Sequence, residues 1–145
     1  MVYNLHMKKE KIVLLLLRLS MGFIFLWAFF DKVFGLGFAT TAEKAWINGG
    51  SPTFGFLSNA AKGPFADIFH SLAGMPAVDW LFMLGLLFVG LTLIFNKFVK
   101  WGCLAGSVML LLMYLALLLP ENNPIIDDHL VYILVLALVA FRSEN

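Results

Sequence analysis

ENNPIIDDHLVYILVLALVAF, residues 121–141, is the stretch that decides how this chain is organised. It ends in an apolar run close to membrane-spanning length, yet Asp127, Asp128 and His129 stand in a row near its start. A bilayer core disfavours ionisable groups, so the three are either a cap held in headgroup water or the polar wall of a site. With Asn123 as N-cap and Pro124 as the first helical residue, they fall within the first two turns. With Asp127 as the cap, only ~14 residues remain to Phe141, or ~21 Å of helix against a ~30 Å hydrocarbon core. The spacing therefore predicts the earlier start and draws the acidic pair toward neighbouring helices. Asp128 and Tyr132 then share a face, while His129 continues through Ile133, Leu136 and Ala140.

The rest of the chain makes a membrane setting the natural one. Of 145 residues, 61% are hydrophobic and 13% charged, with fifteen Phe and a mean hydropathy of +0.91. A soluble domain of this size buries only about two-thirds of its surface and could not hide so much apolar side chain. Four apolar segments, roughly 12–30, 78–95, 101–119 and 125–141, approach the ~20 residues that cross a bilayer. The connectors NKFVK and PENNP are short, which sets successive helices antiparallel. The predicted fold is all-α, an integral membrane antiparallel four-helix bundle in a single domain, with short amphipathic helices in its outer loop. The basic start, MVYNLHMKKEK, precedes an apolar run too long for a signal peptide and lacking a small-residue cleavage site, so it reads as a retained first span.

Charge orients the bundle. Six basic residues (Lys8, Lys9, Lys11, Lys97, Lys100, Arg142) fall on the side of the termini and three (Lys32, Lys44, Lys62) on the other, so the positive-inside bias places both termini in the cytoplasm. Acidic residues agree, with only Glu10 and Glu144 on the inner side. The outer segment 35–76 is too patterned for a linker. TTAEKAWINGG carries a Thr40–Glu43 capping box and ends in two glycines, so it predicts a short helix. GPFADIFHSLAGMP predicts a second, with Pro64 in its first turn and Phe65, Ile68, Phe69 and Leu72 on one face. Such a helix suits a lid at the outer interface; an ordinary surface loop is the alternative. In WGCLAGS, Gly102 and Gly106 form a small-residue face for packing inside the bundle or, alternatively, in a homodimer.

Few polar residues enter the spans. Arg18 lies ~10 Å beyond Lys11 and needs an anion, carbonyls or water there, unless it snorkels to the headgroups. Asp31 and Lys32 end the first span, as an interfacial anchor with Trp27 or as part of a site in which Lys32 pairs with Asp127 or Asp128. Net charge is +1, which gives no reason to expect nucleic acid. Cys103 is the sole cysteine, excluding an internal disulfide and a CxxC dithiol enzyme. Two carboxylates and one imidazole make an unspecific metal set. Haem ligation would need a second facing histidine, for which His70 and His6 are poorly placed, so neither metal nor haem is expected.

The segments LRLSMGFIFLWAFFDKVFG, AWINGGSPTFGFL, KGPF, LAG and ENNPIIDDHLVYILVLALV resemble the DoxX family of small four-helix membrane proteins over about residues 14–140, most specifically in GGSPTFGFL and NNPIIDDH. That family includes DoxD, the membrane subunit associated with thiosulfate:quinone oxidoreductase, which is paired with the smaller subunit DoxA. The resemblance implies quinone chemistry at a prokaryotic plasma membrane and, for an oxidoreductase, a redox partner subunit. On this reading Phe25, Phe29, Trp46 and Trp80 supply an apolar slot, His129 and Lys32 donate to the quinone, and Asp127 and Asp128 relay protons. Arg18, Asp31 and Tyr132 complete the candidate binding set. The alternative is a non-catalytic membrane scaffold, chaperone or accessory subunit that binds a protein partner.

Overall fold

The structure, a computed structural model, describes residues 2–120, 123 and 125–143; Glu121, Pro124 and Glu144 lie outside them. The described chain is helical throughout its regular structure: α1 (Val2–Phe34), α2 (Ala66–Leu72), α3 (Pro76–Phe95), α4 (Val99–Ala116) and α5 (Asp128–Arg142). Between α1 and α2 lie two 3-10 turns, Ala42–Lys44 and Trp46–Asn48, and a π turn, Phe56–Ala60.

Three helices are long and apolar enough to cross a membrane: the stretch Lys9–Phe34 of α1, then α3 and α4. The α1 stretch has only 17% of its most apolar window buried inside the protein. Ile12, Val13, Leu16, Phe23, Ile24 and Trp27 are exposed around it. A helix apolar on all sides belongs in lipid or in a core, and packing covers too little of α1 for the second. At 1.5 Å per residue, the 20 residues of α3 span ~30 Å and the 15 of α5 only ~22 Å.

α5 starts later than its sequence predicts. Asp127, not Asn123, is the N-cap, its Oδ1 accepting from the Leu130 amide at 3.2 Å. Asn123 uses its side-chain oxygen closer to home, accepting from the amides of Ile125 (3.0 Å) and Ile126 (3.1 Å). That local turn competes with helix initiation, as Asn side chains often do. Tyr114 reinforces it by donating its hydroxyl to the Ile125 carbonyl at 2.7 Å. The outer loop also departs from expectation. Thr41 precedes the first 3-10 turn without a side-chain cap bond, so the Thr40–Glu43 capping box is not formed. α2 begins after Phe65, leaving Pro64 outside the helix.

The packing order runs α1 to α3, α3 to α4, α4 to α5 and α5 back to α1. All four meet at Gly106 of α4, where an added Cβ would lie 2.9 Å from Leu136, 3.1 Å from Val89 and 3.3 Å from Phe25. Gly102 and Gly106 are buried, so the small-residue face serves internal contacts. Below this layer, toward the N-terminal part of α1, Arg18 donates to the Leu93 carbonyl at 3.0 Å. The Lys97 amide bonds to the Thr92 carbonyl instead of Leu93, a 6→1 closure that leaves the Leu93 carbonyl for a side chain to satisfy. Arg18→Met should therefore cost about 1–2 kcal/mol in thermal unfolding, and Arg18→Lys should recover part of it.

Candidate functional site

The loop between α1 and α3 is tied down at successive points. The Asp31 carboxylate, 2% exposed at the residue level, accepts from the Phe38 (3.2 Å) and Ala39 (3.0 Å) amides and so turns the chain back after α1. Trp46 packs edge-to-face on Trp80 of α3, with ring centroids 4.7 Å apart. Asp79, in the first turn of α3 and 6% exposed, is the strongest tether. Its Oδ1 accepts from the Thr53 hydroxyl (2.6 Å), the Ser51 hydroxyl (2.9 Å) and the Thr53 amide (3.1 Å). Farther on, the Lys62 amide donates to the Ala116 carbonyl at the end of α4 (2.8 Å), and His70 Nε2 reaches the Ala61 carbonyl at 3.1 Å. Satisfied carbonyls and carboxylates at this many places make the loop a fixed cover.

Beneath the tethered segment lies a cavity of about 450 Å³. Pro52, Thr53, Phe56 and Leu57 of the loop and Phe69 and Leu72 of α2 form one wall; Val78, Leu81, Phe82 and Gly85 of α3 and Ala105, Val108, Met109, Leu112 and Met113 of α4 form the others. Half of the apolar face expected of α2 is thus used, while Phe65 and Ile68 are exposed. Lys32 also lines the cavity and is its one charged residue among those described. Its ammonium lies 5.9 Å from the centroid of the Phe82 ring. Among the described residues no ion pair joins Lys32 to Asp127 or Asp128. Adjacent Asp31 spends its carboxylate on the loop amides.

The residues nominated from sequence do not gather in one place. Lys32 alone lines this cavity; Arg18, Asp31, Trp46, Asp127, Asp128, His129 and Tyr132 do not. Arg18 serves the inner end, and Phe25 is core while Phe29 packs against it. Asp127 and His129 form a separate pair, His129 Nδ1 lying 2.6 Å from Asp127 Oδ2 with both side chains partly buried. With its proton on Nδ1 the ring donates a hydrogen bond to Asp127 Oδ2, which fixes the ring orientation, while the other carboxylate oxygen caps α5. Asp128 is exposed and Tyr132 packs against the core, so their shared face is not a shared site. Among the described residues, no group of three or more His, Cys, Asp and Glu stands ready to hold a metal ion.

Asp79 escaped the reading of the sequence. Its partners lie 26 and 28 residues away, beyond any helical spacing. The available signal was two hydroxyl residues flanking Pro52 in GGSPTFG, a segment rich in donors without local acceptors. No protein-family model, curated protein or solved structure matches the chain.

Proposed function

We propose that the chain is a four-helix membrane bundle of the DoxX type that holds a quinone in the cavity under its outer loop. In this proposal both termini face the cytoplasm of a prokaryotic cell, and α5 crosses with help from the segment before it. The observation that carries the reading is one donor, Lys32, set at an otherwise apolar cavity of about 450 Å³. A quinone asks for that combination: apolar walls for ring and isoprenoid tail, and a donor for a ring carbonyl. The Asp127–His129 pair is the proposed proton-handling group, and electrons would come from a redox partner subunit of the DoxA kind.

The test is extraction of the purified chain with organic solvent and quantification of quinone by chromatography. Near-stoichiometric quinone is expected in the wild type. Lys32→Met should lose about nine-tenths of it, as deletion of a charge-assisted hydrogen bond implies, and Val108→Trp, which fills the cavity, should lose nearly all. His129→Ala should retain it, because that ring lies off the cavity. Quinone-free wild type would instead favour a non-catalytic scaffold or accessory subunit.

A further inference from the structure

The cavity has a direction. Taking the layer where all four helices meet at Gly106 as zero, Lys32 lies seven residues beyond Phe25 toward the outer loop, a rise of ~10 Å. Ala105 is next to Gly106 and so marks the inner end of the cavity near that layer. The charged group therefore lies toward the loop side of the cavity, and the end near the Gly106 layer is wholly apolar. Three of its lining residues also face outward. Leu81, Val108 and Leu112 line it, yet they are 76%, 50% and 51% exposed, and they lie on the membrane-crossing lengths of α3 and α4. A molecule in the cavity would reach the surrounding lipid between these helices without passing the tethered loop.

We infer that the cavity takes from the bilayer an amphiphile with an acidic head, the acid group meeting Lys32 and the chain leaving between α3 and α4. This rests on the reading that the cavity holds a lipid-soluble ligand, and adds which chemistry it selects. A cation set in apolar surroundings without an ion-pair partner is stabilised by an anion that enters. Asp31 lends Lys32 a nearby negative charge but makes no ion pair with it, its two oxygens accepting from loop amides. A neutral head receives only the ammonium's hydrogen bond at the same place, whereas an acidic one also completes an ion pair. An acidic hydroxyquinone and a long-chain carboxylic acid share this chemistry.

The experiment is titration calorimetry of the full chain in zwitterionic nanodiscs, with empty nanodiscs subtracted. The first pair of probes is a 3-alkyl-2-hydroxy-1,4-naphthoquinone, anionic at neutral pH, and its neutral 2-methyl counterpart. The second pair is a saturated fatty acid and its methyl ester. The acid member of a pair is expected to bind at least about tenfold more tightly, the gain from adding an opposite charge to a hydrogen bond on a poorly solvated cation. Lys32→Met should erase the preference and Lys32→Arg should keep it, which separates a lost charge from a misfolded variant. Equal binding of both naphthoquinones, weakened alike by Lys32→Met, overturns the inference and leaves the quinone reading standing. Lys32-dependent binding of the fatty acid alone supports the acid-head selection and removes the quinone. No binding by any probe overturns both.

Discussion

Gly102→Ala is expected to destabilise the protein by about 1–3 kcal/mol, although alanine is the better helix former by about 1 kcal/mol. The sign reverses because α3 and α4 touch there. A Cβ on Gly102 would collide with Thr92 Oγ1 and sit 2.9 Å from Thr92 Cβ. Thr92 cannot easily turn away: it is 6% exposed, and its hydroxyl donates to the Val89 carbonyl at 2.9 Å. Removing the hydroxyl with Thr92→Ala should relieve the worst of the collision, leaving the tight contact with the residue 92 Cβ. The double variant should then recover about 1 kcal/mol or more relative to the sum of the two single changes, the coupling expected of residues in contact. Thermal unfolding in one detergent measures all four proteins. Strict additivity, or a Gly102→Ala protein as stable as wild type, would mean that the helices do not meet at this pair.

How far the sequence exposes this architecture depends on what each signal measures. The spans predicted at 78–95 and 101–119 match α3 and α4 to within three residues at each end, because a long apolar run bounded by NKFVK has few other solutions. α1 runs past both ends of its predicted 12–30, since basic and aromatic flanks outside the apolar run can still be helical. The start of α5 was misread for a specific reason: Asn caps helices and closes local turns with the same oxygen, and sequence does not say which amides reach it first. The cavity was hidden by its composition. Leu81, Val108 and Leu112 would be equally apolar facing lipid or facing a ligand, so hydropathy cannot separate the two roles. Lys32 stands out in the sequence as an isolated cation near the end of a span, but the pairing expected with Asp127 or Asp128 is not formed among the described residues. The structure gives it the Phe82 ring instead, and gives Asp127 to His129.

Asp79→Ala should free the loop above the cavity while the helices stay packed. Three donors converge on one carboxylate oxygen, and they are not equivalent. The hydroxyls of Ser51 and Thr53 can rotate toward water once Asp79 is gone, but the buried Thr53 amide is fixed by the backbone and loses its acceptor. An orphaned amide next to two weakened hydroxyls costs about 2–4 kcal/mol. Because these contacts bind the loop to α3 and do not join the helices, the cost should appear as local opening. Amide exchange over residues 53–57 is expected to quicken on the order of a hundredfold, the equivalent of ~2.8 kcal/mol, with α3 and α4 amides near Val89 and Gly106 unchanged. Thr53→Val, which removes one hydroxyl but leaves the amide its acceptor, should have a much smaller effect, and Asp79→Asn should fall between. Pro52, Thr53, Leu57 and Val78 line the cavity, so a freed loop should also loosen that wall, and the proposed ligand should bind more weakly to Asp79→Ala than to Thr53→Val. Unchanged exchange at residues 53–57 in Asp79→Ala would show that other tethers hold the loop. Equal acceleration in the loop and in α3 would make Asp79 a determinant of the whole fold and not a latch on its cover.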